Sequence, residues 1–248
     1  MVTFTHTPTP PTGSADIDTM ARAAREAGLD HLAITDHTQS LAMAKGLDEH
    51  GALAHAHATR AANDRIRGIT LLAGIEYDIR ADGALNLADD CPAELDLVIA
   101  SVHSAFGQDE RQMTNRILRA IDSPHVNILG HLTGRRLLRR EPYRVDIEQV
   151  VDAAARLGVA LEINCQVERL DLCDTQARLA RDRGAPIVIS SDAHAPGAFA
   201  VFSWGVVVAR RAWLEPNDVL NTLPLDAFRR RLRRHRPAAP QAPDRQSP

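Results

Sequence analysis

Residues Leu97–Phe106 read LVIASVHSAF, an apolar run suited to a buried strand and closed by His103. A lone histidine at a strand end is usually a half-buried ring satisfied by one hydrogen bond. Here the arrangement recurs. HLAITDH (31–37) ends at His37, LLAGIE (71–76) at Glu76 and HVNILGH (125–131) at His131, while PIVISSDAH (186–194) carries Asp192 and His194. Five apolar runs that each deliver a metal-capable side chain at the same end are hard to read as unrelated polar caps.

Segments of helical periodicity separate these runs. ADIDTMARAAREAGLD sets Ile17, Met20, Ala21 and Ala24 on one face, with Asp16 and Gly28 placed as caps. Further helices are expected around Asp48–Arg67, Asp109–Ile121, Asp146–Leu157 and Asp174–Arg183, each followed by a strand, as in GVALEIN (158–164) and APIVISS (185–191). A short strand at Val2–Thr5 opens the series, and WGVVVA (204–209) is expected to add a last one. Continuous apolar strands alternating with helices describe a parallel sheet covered on both faces. Six or seven such units predict a closed or nearly closed β/α barrel, whose site lies where the strands end and the βα loops begin.

A chain of 248 residues fits one such domain. With 44% hydrophobic residues, a quarter charged and a net charge of −3, it has an ordinary soluble composition and no general pull towards nucleic acid or anionic membrane. Cys91, Cys165 and Cys173 form no CxxC pair, which argues against a disulfide framework or thiolate zinc site and for a reducing, cytoplasmic setting. The start lacks the basic and apolar regions of a signal peptide, and no apolar run is long enough to span a membrane. The barrel is expected over residues 1–225. Residues 226–248 read as a basic helix end followed by a disordered tail, which could touch phosphate backbones. Oligomeric state has no signature in the chain.

Imidazole and carboxylate ligands together suit Zn, Mn or Fe, and a carboxylate such as Glu76 can bridge two ions about 3.5–4 Å apart. Water activated by such ions attacks phosphorus without a protein nucleophile. The competing reading is a set of polar strand caps, each with its own hydrogen bond. Among the other histidines, His55 and His57 have an H-x-H spacing, but in a helical stretch i and i+2 point to different faces, so both are expected at the surface. His31, His50, His125 and His235 sit at strand starts, on helices or in the tail, outside the expected site.

The ordered series ITDH, AGIEYDI, DLVIASVHSAF, HVNILGHLTGR and SSDAH resembles the polymerase and histidinol phosphatase (PHP) superfamily. DHTQSLAMAKGL, GRRLLRREPY and RRAWLEPNDVLNTL are similar to the PHP domain of bacterial family X DNA polymerases, and the resemblance runs from about Ser14 to Phe228. It implies an α/β fold, a distorted (β/α)7 TIM-like barrel, and a metal-dependent phosphoesterase with two to three divalent ions (Zn, Mn or Fe). It further implies that Glu76 bridges two ions, one completed by His103 and His131, the other held with Asp192 and His6. His37 and His194 would hold the third. Glu76, His103, Asp192 and Arg135 would then carry the chemistry.

The chain departs from the family at its start. His6 fills the second position of an expected H-x-H pair, Phe4 stands at the first, and Thr12 precedes Gly13 where the family has Asp. A weakened centre that depends on added manganese is expected, and a natural loss of ligands and an altered chain start are both open readings. Arg135, Arg139 and Arg140 in GHLTGRRLLRR and Asn164 in ALEIN are the candidate substrate contacts, with Arg135 suited to a bidentate phosphate pair. The implied substrate is a phosphate ester at DNA 3′ ends. The alternatives are a small phosphomonoester, as in histidinol phosphate hydrolysis, or a degenerate barrel acting as a binding module.

Overall fold

Seven parallel strands form one sheet in simple sequence order. They are β1 (Val2–Thr5), β2 (His31–His37), β3 (Thr70–Asp78), β4 (Leu97–Ser101), β5 (Ile128–Leu129), β6 (Ala160–Asn164) and β7 (Ile187–Ser190). The computed structural model describes residues 15–38, 46–85 and 94–232, together with the backbone of 2–5. The edge strands β1 and β7 curl round to lie beside each other, and this gives the α/β barrel expected from the sequence. Helices on the outside are α1 (Ile17–Glu26), α2 (Glu49–Arg65), α3 (Glu110–Asp122), α4 (Ile147–Leu157), α5 (Asp174–Asp182) and α6 (Phe202–Arg211). A final helix, α7 (Leu225–Leu232), packs across the end of the barrel where the strands begin.

Side-chain chemistry explains the helix starts. Asp16, Asp48, Asp109 and Asp146 each cap a helix by accepting a backbone N–H three residues on, and Gln112 closes a capping box with Asp109. Strands β2–β7 are buried along nearly all of their length, as in a sheet covered on both faces.

One expected strand is a helix. WGVVVA lies in α6, with Gly205, Val208 and Ala209 buried at helical spacing. Valine favours strands, but tertiary packing outweighs a propensity of a few tenths of a kcal/mol per residue. Gly205 is what lets the helix seat there: a Cβ at this position would stand 2.3 Å from Cys165 Sγ and 2.6 Å from Ile189 Cγ2. Removing this strand from the series leaves seven, the number in the sheet.

Strand alternation sorts the sheet into two faces. Outward residues such as Ile75, Val98, Leu161 and Ile187 join Met113, Ile117, Val151 and Ala180 of the helices in the main core. Inward residues Ala33, Leu72, Leu97, Ile99, Ile128, Ala160 and Val188 pack with Leu220, Phe228 and Leu232, forming an apolar floor sealed by α7. Asn127 and Asp96 fasten α7 from below through Leu232 O and Arg229. Above the floor the same strand faces become polar, with Thr35, Ser101, Glu162 and Ser190 all buried.

Candidate metal centre

Register delivers the central pair. In the β2–β3 ladder His37 lies opposite Glu76, so two strand ends 39 residues apart in sequence present their side chains together. Glu76 Oε1 stands 3.2 Å from His103 Nε2 and 3.3 Å from His131 Nε2, and Oε2 stands 3.8 Å from His37 Nδ1. The His37–His103 and His103–His131 rings meet edge to face with centroids 5.1 and 5.0 Å apart. Ligand atoms of His37, Glu76 and His103 all lie within 4.8 Å of one another.

Asp192 and His194 complete this end of the barrel. Asp192 accepts a hydrogen bond from Asn164 Nδ2 at 3.0 Å, and His194 Nδ1 lies 2.9 Å from the Asp192 carbonyl. The His194 ring is the most exposed of the group and lies 6.3 Å from His37, farther than His37 lies from His103. His131 and Asp192 both adopt left-handed backbone conformations, with φ of 25° and 47°. Non-glycine residues pay for such φ values in strain, and they concentrate where a side chain must be aimed. Gly130 permits the approach to His131: a Cβ there would stand 2.3 Å from Ser101 Oγ.

Electrostatics prepare these groups for a cation. Burial, reinforced by the Arg169 charge, pushes His131 down to about 4, so its ring is neutral with a lone pair to offer. Burial also disfavours charge on His103, but its interactions with Asp78 and Glu76 outweigh that and hold it up at about 9. Glu162 is pushed up to about 8 by burial together with the nearby Asp192 and Glu76. Carboxylates gathered in a buried place draw positive charge, which a protonated His103 or a bound cation supplies. The His131 Nδ1 is buried and makes no hydrogen bond among the described residues. The donor set, imidazole nitrogen and carboxylate oxygen, therefore fits a divalent ion.

Supporting residues lie outside the strand-end pattern. Asp78, two residues beyond Glu76 on the same face, accepts the His103 backbone N–H at 3.3 Å and lies 3.6 Å from His103 Nδ1. Arg116 of α3 is buried within reach of its charge, donating to Ser104 O, Ile79 O and Gln108. Glu162 accepts the His131 backbone N–H at 2.7 Å. Arg169, in the loop after β6, reaches to 3.9 Å from Asp192 with Nη1 buried and without a hydrogen bond among the described residues. The signal in the sequence that could have found Asp78 and Glu162 is strand alternation, since each shares the inward face of a strand already identified.

The arginines expected at the substrate divide. Arg135 turns inwards, donating from Nε to Arg169 O and from Nη2 to Leu170 O, so it ties two loops together. Arg140 donates to Gly134 O and lies over the Phe106 ring. Arg139 is exposed, 3.5 Å from Glu168. Asn164 is fully buried and braces Asp192. Of the histidines left out, His57 is exposed, but His55 is not the surface residue expected. It is buried with Ala52, Ala56 and Thr59 on the inner face of α2, with Nε2 3.2 Å from Ile34 O and Nδ1 3.5 Å from Asp36. His6, Thr12, Cys91, Lys45 and the Phe4 side chain lie outside the described residues.

A family model for the PHP domain matches residues 5–166. The chain belongs to the PHP domain family. Among curated PHP relatives, it is 38% identical over 222 residues to the DNA polymerase/3′-5′ exonuclease PolX of Bacillus subtilis (strain 168). That match covers 88% of this chain and 39% of the relative, so the chain spans well under half of the longer protein. A protein of Thermoanaerobacter sp. (strain X514) described as a probable phosphatase is 32% identical over 234 residues, covering 90% of this chain and 91% of its own. The histidinol phosphate phosphatase of Lactococcus lactis, solved with zinc, L-histidinol and phosphate, shares the PHP fold at a TM-score of 0.61 with 16% identity, over 86% of this chain and 94% of that one.

Proposed function

We propose that this PHP chain hydrolyses phosphate esters at the barrel mouth, and that its substrates are phosphodiesters or phosphomonoesters at DNA 3′ ends. The observation that carries the reading is the convergence of three imidazoles on the Glu76 carboxylate, within 3.2–3.8 Å. Glu76, His103 and His131 would hold one divalent ion, Glu76, Asp192 and His6 a second, and His37 and His194 a third. Zinc, manganese and iron all suit this donor set. Such ions supply neutralisation of the phosphoryl oxygens and a water activated near neutral pH.

The chain's own side chains do the rest. Asp78 and Glu162 fix the His103 and His131 backbones, so the imidazoles meet the ion in one orientation. Asn164 does the same for Asp192. Arg169, beside Asp192 and with an unsatisfied buried Nη1, takes the role of phosphate contact first expected of Arg135. The similarity to the Bacillus subtilis relative supports DNA ends. A small phosphomonoester is the second reading, favoured by the Thermoanaerobacter relative because that match spans nearly all of both chains.

Elemental analysis and hydrolysis assays with and without manganese, on the wild type and His103→Ala, test the proposal. Bound metal and activity that both fall in the variant are expected. A protein that takes up no metal and hydrolyses neither a 3′-tailed oligonucleotide nor a chromogenic phosphoester overturns it in favour of a binding module. Hydrolysis of the phosphoester alone selects the small-substrate reading.

A further inference from the structure

The loops after β5 and β6 leave this end of the barrel as one welded unit with an apolar tip. Residues 136–140 form a hairpin, closed by Arg136 N–H to Arg140 O at 2.8 Å and Arg140 N–H to Arg136 O at 2.7 Å. Leu138 at its turn has a left-handed backbone, φ 62°, and is fully exposed. Leu137 beside it is 40% exposed, and Val167 in the neighbouring loop 51%. The hairpin is not free to fold this tip away. Leu137 N–H donates to Glu168 O, Arg136 and Arg139 pair with Glu168, and Arg135 grips Arg169 O and Leu170 O.

The charge around this tip opposes that of the whole chain. Residues 135–141 and 166–169 contain Arg135, Arg136, Arg139, Arg140 and Arg169 against Glu141 and Glu168, on a protein of net charge −3. His131 stands at the root of the first loop, and Arg169 in the second.

We propose that Leu137, Leu138 and Val167 form a ledge on which the terminal base of a single-stranded nucleic acid rests, with Arg139 on the adjoining phosphate. The inference rests on the phosphoesterase reading and deepens it by naming a segment that selects polynucleotide ends over free phosphate esters. Three side chains are far too few for a protein partner, since a specific interface covers roughly 800 Å² on each side. They suit one base rather than a protein face, and Arg139 next to Leu138 offers a cation to the phosphate beside that base. Apolar side chains wedged against bases hold nucleic acids in this way.

Leu138→Ser tests the ledge, because a fully exposed residue can be replaced with little effect on folding. With the manganese-loaded protein, kcat/KM is measured on a single-stranded DNA oligonucleotide and on bis(p-nitrophenyl) phosphate. Fluorescence anisotropy with EDTA present measures oligonucleotide binding without turnover. We expect the ratio of oligonucleotide to small-ester kcat/KM to fall several-fold and oligonucleotide binding to weaken by a similar factor, as the loss of one partly covered leucine side chain implies. Equal effects on both substrates, or no effect on binding, overturn the ledge. Weaker binding to phosphatidylglycerol vesicles with oligonucleotide binding intact overturns it in favour of a lipid surface. A wild type that binds oligonucleotide through Leu138 yet cleaves neither substrate overturns the phosphoesterase reading and leaves the ledge standing.

Discussion

Asp78 and Arg116 show how a metal-capable histidine is held. A buried arginine is costly unless its charge is offset; among the charges acting on Arg116, that of Asp78 leads, and Asp78 lies against the ring and backbone of His103. Asp78→Asn removes the charge and keeps the shape, so metal affinity should fall about 10–100-fold, as measured by competition with a chelator of known affinity. Unchanged affinity would show that Asp78 has no hold on the ion. Gly130→Ala should destabilise the fold by about 1–3 kcal/mol through overpacking against Ser101, read from urea unfolding. At this scale the sequence shows a site residue when it ends an apolar run, as His37, Glu76, His103, His131 and Asp192 do. Arg116, Arg169 and His55 are silent there because their partners, Asp78, Asp192 and Asp36, come from other elements, and a helical histidine next to alanines looks the same whether its face is turned in or out.

Among the elements, α6 and α7 carry the most information. Val206, Val207 and Val208 read as a strand because three β-branched residues follow one another, and only Gly205, pressed onto Cys165 and Ile189, marks the segment as a helix laid close on a sheet. Gly205→Val should therefore cost stability, about 1–3 kcal/mol or more, visible as a lower urea midpoint with an unchanged slope. The basic run at the start of the expected tail conceals a structural element, since Phe228 and Leu232 are buried in the floor, Arg229 pairs with Asp96, and only Arg230 and Arg231 face outwards. Phe228→Ala should cost about 3–5 kcal/mol by the same measurement, because the cavity would open between the undersides of several strands. Helices α1–α4 were legible from their aspartate caps and α5 from its periodicity, which are local signals; closure of the floor is not local.

For the whole molecule, the ion and the fold are thermodynamically linked. A divalent ion at 100 times its Kd adds about 2.7 kcal/mol to stability, so manganese should raise the melting temperature by several degrees and EDTA should reverse the rise. A melting temperature indifferent to both would argue that the gathered imidazoles hold no ion. Barrel architecture and the location of the candidate site were legible because strand order follows sequence order and all strands are parallel, so that the ends of β2, β3, β4, β5 and β7 meet at one mouth.

That ordering has a consequence for how the chain can be cut. The candidate ligands lie at or just beyond the ends of five strands, while the turns at Gly28, Gly158 and Gly184 lie at the opposite end, where each helix hands over to the next strand. A permuted chain with its ends moved to one of those turns would keep every strand end of the metal site on an unbroken βα connection. No peptide shorter than most of the barrel could reproduce that site, so the centre belongs to the closed sheet and to no single segment of it.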